Sequence, residues 1–292
     1  MKPNLTLLIS AVLISMGAVG QPFIDVLNIN TQLYNTTYKD SVSSENNTTT
    51  YNLNIFIPKS FENGNTFLFR LTGEQLISTL DNTASNLYSF SMPIGFQFVS
   101  KSKKWKTLVF ATPKISSDLK DNLNNDYQYG GTLLFTYVKN DSLLKLKFGV
   151  TYSRECWGNF FVPLVGIDWK ASERISVYGI LPANLRVEYK ASEKLYLGVG
   201  VKNLKRSYRL SAGNNNDFVV VRETQAKFFI DYFVWKKILL FADASYVLQF
   251  DFVQYAESDL KIKTPIVTNP VYTPMNNNFL FTVGLAYRVR TD

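Results

Sequence analysis

Apolar and polar residues alternate with a period of two through almost the whole chain after residue 21. That period belongs to an extended strand with two unlike faces, not to a helix. Tyr51, Leu53, Ile55 and Ile57 share one face, with Thr50, Asn52 and Asn54 between them. Tyr88, Phe90, Met92, Ile94, Phe96 and Phe98 repeat the pattern, as do Leu144, Leu146, Phe148, Val150 and Tyr152. Late in the chain, Thr224, Ala226, Phe228, Ile230, Tyr232 and Val234 oppose Glu223, Gln225, Lys227 and Asp231. No amphipathic helix is legible after residue 21, so the chain is all-β.

The segments number about fourteen, near 23–37, 49–58, 65–77, 86–99, 105–114, 127–138, 143–152, 161–169, 174–181, 185–190, 194–206, 218–235, 238–251 and 278–290. Twelve is the alternative, because the short 174–190 region could merge differently. Pro93 and Pro163 each remove a ladder hydrogen bond, so bulges or strand ends are expected there. The connections alternate in length. Tight polar turns lie at Glu62–Asn65, Lys101–Lys104, Lys139–Ser142, Ala171–Glu173, Ala191–Glu193 and Lys236–Lys237, and Asn63-Gly64 is the sharpest hairpin signal. Longer polar loops are expected at 39–48, 78–86, 116–126, 153–160, 207–217 and 253–277, with 181–184 a shorter exception. Short turns at one end and long loops at the other describe an up-and-down transmembrane barrel of the outer-membrane type. One fragment nearly repeats: Trp169-Lys170-Ala171-Ser172-Glu173-Arg174 returns as Tyr189-Lys190-Ala191-Ser192-Glu193-Lys194. That spacing suits one hairpin, by duplication or by shared turn chemistry.

A soluble β-sandwich would turn the aromatic rows inward, whereas a membrane barrel turns them out to lipid. The apolar rows are five or six positions deep, as a span of about 9–11 residues requires. Trp105, Tyr127, Tyr137, Trp169, Tyr189, Trp235 and Tyr287 gather near strand ends, where headgroups favour Trp and Tyr. The opposite rows hold Arg70, Lys106, Lys145, Lys147, Arg186, Glu188, Glu223, Lys227, Asp231 and Asp243. Facing lipid, each Arg or Lys would cost about 2–4 kcal/mol near the midplane. These ten are therefore the candidate lumen-lining residues. They serve as a selectivity filter or as the mutually paired filling of a polar interior.

Residues 1–20 read as a secretory signal peptide: Lys2, an apolar stretch from Leu5 to Met16, then Gly17-Ala18-Val19-Gly20 before a cleavage expected at Gln21. The remainder, 21–292, is expected to be one barrel domain. Losing Lys2 takes the net charge from +8 to +7. At the other end, Phe279 to Val289 resembles the strand that the outer-membrane insertion machinery reads, with Gly284 and Tyr287 in place. The chain departs from that pattern by ending Arg290-Thr291-Asp292.

The run Pro163-Leu164-Val165-Gly166-Ile167-Asp168-Trp169, then Leu181-Pro182-Ala183-Asn184-Leu185-Arg186-Val187-Glu188-Tyr189, and later Ser207-Tyr208-Arg209-Leu210 resembles a Bacteroidetes-type family of outer-membrane barrels of unknown function. The resemblance implies location and fold. That family carries no established activity, so no functional residue transfers.

Composition removes most chemistry. There is no histidine and one cysteine, Cys156, among 292 residues. The usual general base, the commonest metal ligand and any disulfide framework are absent. No enzyme activity and no cofactor are expected, and a Glu223/Asp231 carboxylate pair reads as lumen packing. The positive charges are spread singly, which points away from nucleic acid and toward anionic lipopolysaccharide or a lumen field. Expected partners are outer-membrane lipid and lipopolysaccharide, the insertion machinery, and an unidentified envelope protein. Two roles stay open: a narrow pore or transporter for small solutes, or a non-transporting barrel that binds a partner or shapes the envelope.

Overall fold

The computed structural model describes residues 22–37, 45–80, 83–121, 126–139, 143–214, 217–255, 271–274 and 276–290. The expected leader and most of 39–48 and 253–277 lie outside them. Sixteen strand segments follow one another: β1 (Phe23–Thr37), β2 (Glu45–Ser60), β3 (Thr66–Leu80), β4 (Thr83–Ser91), β5 (Ile94–Val99), β6 (Trp105–Ser117), β7 (Tyr127–Val138), β8 (Leu144–Glu155), β9 (Gly158–Lys170), β10 (Ile175–Leu181), β11 (Asn184–Lys190), β12 (Leu195–Arg209), β13 (Phe218–Trp235), β14 (Ile238–Tyr255), β15 (Val271–Pro274) and β16 (Phe279–Arg290). Segments β4 and β5 both lie between β3 and β6, split at Met92-Pro93, and β15 and β16 both pair with β14. The ring therefore has fourteen strands.

Consecutive strands pair antiparallel, and β1 against β16 closes the ring from Phe23↔Arg290 to Tyr34↔Leu280. Closure leaves the ring no free edge along most of its height, where each strand's backbone groups are paired on both sides without water; above β10 and β11 the upper ends of β9 and β12 are paired on one side only. The alternation seen in the sequence maps onto the wall. On β13, Phe228, Ile230, Tyr232 and Val234 are exposed, while Phe229, Asp231 and Phe233 are buried inside. On β16, Phe279, Phe281, Val283 and Leu285 face out. An exterior of exposed Phe, Leu, Ile and Val running round the ring is unstable in water and matched to acyl chains. Trp105, Trp169, Tyr189 and Trp235 sit outside at the short-turn end, with Trp235 70% exposed. They form one interfacial girdle.

Val283 tests the orientation directly. It is 55% exposed, in the middle of β16. In lipid vesicles, Val283→Arg should cost about 2–4 kcal/mol in urea unfolding. On a water-facing surface the change would stay within about 0.5 kcal/mol.

The structure corrects several expectations. Residues 78–86 and 153–160 are not long loops: Thr79↔Ala84 and Arg154↔Asn159 continue the ladders almost to the tips. Ser, Thr and Asn there pair as strand residues. The expected loop 207–217 begins later too, because β12 runs to Arg209 and a 3₁₀ turn at Ala212–Asn214 follows. Pro93 marks a strand interruption, as expected. Pro163 lies inside β9, but in the part that extends beyond β10, whose pairing stops at Val165. There a missing N–H has no second ladder to break.

Candidate functional site

The interior is not uniformly polar. Toward the long-loop end, Tyr34, Leu76, Leu87, Tyr208, Val221, Phe250 and Leu280 form an apolar cluster. They come from β1, β3, β4, β12, β13, β14 and β16, so they fill the interior from several sides. Toward the short turns, Ile24, Phe56 and Leu68 pack with Leu108 and Phe110, and Tyr196, Phe233, Leu239 and Ala286 form a separate cluster. A fourteen-strand ring is wider than eight-strand barrels that side chains fill and narrower than sixteen-strand porins. Here bulky side chains fill both ends.

A chamber of about 550 Å³ lies between, lined by Asp25, Glu74, Lys114, Arg186, Lys202, Arg206, Lys227, Asp231, Asp243 and Arg288 among asparagines at 28, 30, 52, 54 and 184. Its charges are paired. Arg288 holds Asp25 through two nitrogens at 2.6 and 2.9 Å and also donates to Asp231. Arg186 lies 3.5 Å from Asp231 and 3.7 Å over the Phe229 ring. Lys227 pairs with Asp243 at 2.6 Å. Higher up, Arg206 joins Glu74 at 2.6 Å and Glu223, and the Tyr208 hydroxyl donates to Glu74. Below the chamber, Arg290 pairs with Glu188 at 2.6 Å, and Tyr178 donates to the same carboxylate at 3.0 Å. Each ion pair removes charges from water, so each needs its partner to remain folded.

Lys202 differs. It is half-buried on the chamber wall and, among the described residues, its side chain makes no ion pair or hydrogen bond. Gly198 and Gly200, on the same inward row, make the space for this network. A Cβ at Gly198 would lie 2.4 Å from the Phe229 ring, and one at Gly200 would lie 3.3 Å from Arg186 Cγ.

Of the ten charged residues singled out from the sequence, Arg186, Lys227, Asp231 and Asp243 come together at the chamber. Glu223 and Glu188 sit just above and below it, held by Arg206 and Arg290. Arg70 lies 4.8 Å over the Phe56 ring. Lys145 and Lys147 are on β8, opposite Asp168 and Gly166 of β9, and Lys147 pairs with Asp168 at 2.7 Å. Lys106 stands opposite Thr136, which neighbours Lys147 on its other side. These four are not part of the chamber lining.

Asp25, Glu74, Lys202, Arg206, Tyr208 and Arg288 were missed. Arg206 and Tyr208 continue the inward row of Gly198, Gly200 and Lys202, so the period itself could have found them. Asp25 precedes a bulge at Asp25/Leu27 that shifts its face, and no simple count anticipates that.

The mouth at the long-loop end is pinched. Arg209 of β12 bridges to Ser117 of β6, and the Asp118 amide donates to the Arg209 carbonyl at 3.0 Å. Strands β12 and β6 are not neighbours in the ring, so these bonds run across the mouth and not along the wall. Gln128 of β7 adds a bond of 3.2 Å to the Ser207 carbonyl. Cys156, between β8 and β9, packs behind the same strands against Phe218 and Val253. Burial pushes its thiol up, which keeps it neutral.

A closed fourteen-strand antiparallel ring with lipid-matched rows outside and paired charges inside defines a transmembrane β-barrel. The chain belongs to the family described as Domain of unknown function (DUF6268), whose model matches residues 70–288. No curated protein matches it. Solved structures that align with it include a mutant of the TodX monoaromatic hydrocarbon channel, with 12% identity, a TM-score of 0.45 and coverage of 99% of this chain and 95% of that one. The COG4313 outer membrane channel from Pseudomonas putida F1 aligns with 9% identity, a TM-score of 0.45 and coverage of 91% and 96%. The translocator domain of autotransporter NalP from Neisseria meningitidis has 14% identity, a TM-score of 0.39 and coverage of 97% and 94%.

Proposed function

We propose that the protein is an outer-membrane channel for small solutes, held shut at its long-loop end in this conformation. The chamber carries the reading. A barrel needed only as a scaffold gains little from a polar compartment of about 550 Å³, because buried ion pairs add little stability compared with well-packed apolar residues. Six cations and four anions line it: Lys114, Arg186, Lys202, Arg206, Lys227 and Arg288 against Asp25, Glu74, Asp231 and Asp243. Glu155 and Glu223 pair with Lys114 and Arg206 from just outside the lining and balance the sum, so the cation left to favour an anion is Lys202, whose side chain has no ion pair among the described residues. The short turns face the periplasm in this reading and the long-loop end faces outward, where lipopolysaccharide meets the long loops. The strand Phe279–Arg290 serves the insertion machinery.

The test is planar-bilayer recording of refolded protein. Infrequent, small current steps with an anion-selective reversal potential are expected. Cation selectivity would contradict the charge assignment. The pinch favours one other reading, a barrel that binds an envelope partner and passes nothing. Silence at every voltage, in the wild type and in mouth-opened variants alike, would leave that reading standing.

A further inference from the structure

The barrel wall is uneven. Strands β10 and β11 have seven residues each, whereas β9 and β12 on either side have 13 and 15. Pairing stops at Leu181↔Val165 on one side and Asn184↔Lys202 on the other. Above that hairpin, residues 158–164 of β9 and 204–209 of β12 face each other with no strand between. Two ties from backbone amides frame the gap on the β12 side, and between them Lys205 Nζ lies 3.5 Å over the Trp157 ring at its upper margin. The Asn203 amide donates to the Ala183 carbonyl at 2.8 Å, and the Cys156 amide donates to Ser207 Oγ at 3.4 Å.

Its height places it in the membrane. Seven residues at about 3.3 Å, tilted by about 45°, rise roughly 16 Å from the short turns, inside an apolar band about 25 Å tall. The flank agrees, because Phe161 is 70% exposed beside it.

The sill connects inside to outside. Asn184 is exposed and lines the chamber, as does half-buried Lys202, whose side chain makes no ion pair among the described residues. Immediately below, on the lipid face of β11, β12 and β13, lies an apolar groove of about 460 Å³ bounded by Leu185, Val187, Val199, Val201 and Phe228, with Ala226 as its floor. Meanwhile the axial route is crossed by the β12–β6 bonds.

We propose that this gap is a lateral entry for a long-chain carboxylate, whose tail lies in the outer groove and whose headgroup reaches Lys202 and Asn184. Lys202 faces the chamber with no ion pair among the described residues and matches one negative charge, whereas Lys205 on the same strand is turned outward and lies 3.5 Å over the Trp157 ring. A gap framed by ties only four residues apart on β12 suits a small head. This inference rests on the membrane-barrel part of the channel reading, not on conduction.

The test uses full-length barrel folded in phosphatidylcholine vesicles. Trp105, Trp169 and Trp235 are changed to Phe, so that Trp157, at the top of the gap, is the only indole. Folding is checked by heat-modifiable gel mobility. Stearate carrying a nitroxide at carbon 5 should quench Trp157 saturably. Its methyl ester and the K202Q variant should each need roughly tenfold more, as loss of one charge-assisted bond implies. K202R should restore binding, and Ala226→Phe, or Val199→Phe if that variant does not fold, should remove the saturable part. Equal, unsaturable quenching by acid and ester, or no effect of K202Q, would overturn the proposal. So would equal competition by a lysophospholipid, whose head is larger. Saturable quenching in a barrel that never conducts would retain this site while removing the channel.

Discussion

The double variant Arg206→Ala/Tyr208→Ala should conduct where the wild type is nearly silent. Both residues belong to the upper part of β12, the segment that crosses the mouth. Tyr208 is fully buried among side chains of β1, β3, β4 and β14 and donates to Glu74. Arg206 bridges Glu74 and Glu223. Without them, the β12 end keeps its ladder to β13 in the wall, but across the mouth it loses its side-chain bonds to Glu74 and its packing in the apolar cluster, and is left with the backbone tie to β6, the Ser207 contacts and the Ser211–Asp118 bond. The ring itself stays closed, because its pairing elsewhere is untouched. A several-fold rise in open time or unit current is expected in planar bilayers. Loss of Arg206 also exposes two carboxylates to the chamber, so the reversal potential should move toward cations. An unchanged current in a variant that folds normally would show that the pinch is not the gate.

The second large effect is on stability. Lys147 and Asp168 pair at 2.7 Å, each with its side chain 7% exposed. Removing the carboxylate leaves Lys147 buried beside Lys145, which shares the same neighbour on β9. Asp168→Ala should therefore cost about 3–5 kcal/mol, the range for breaking one partner of a buried pair. Replacing both, as Lys147→Met/Asp168→Leu, should recover most of that loss, because an apolar pair leaves no unmatched charge. Urea titration of vesicle-folded protein reads both values. If the single and double variants unfold together, the pair is hydrated and the interior there is wetter than its packing implies.

Much of this architecture was legible because a strand's period of two survives tertiary context when one face meets lipid and the other a polar interior. The rows at Phe228–Val234 and Phe279–Leu285 fall outside as their alternation requires. The strand break at Met92-Pro93 follows from proline's missing donor. Three things were not legible, for physical reasons. Polar residues at 78–86 and 153–160 read as loops, yet they pair, because Ser, Thr and Asn fit an exposed ladder as well as a turn. Apolar residues on inward rows, such as Leu76, Leu280 and Tyr208, look like any other strand residue until opposite walls are brought together. The crossing of β12 to β6 joins residues 92 positions apart, and no local pattern carries a contact of that range. Of the charged set, Arg186, Lys227, Asp231 and Asp243 meet at the chamber. Their partners were not readable, since partners such as Arg288 and Asp231 come from strands separated around the ring.

One measurement bears on everything above: the medium in which the purified chain folds. Transferred from urea into lipid vesicles, it should gain β-sheet circular dichroism and a fast-migrating, heat-sensitive gel band. Transferred into detergent-free buffer, it should aggregate. A monodisperse, folded chain in that buffer would mean the exposed aromatic and aliphatic rows have found one another instead of lipid, and the barrel account would be contradicted.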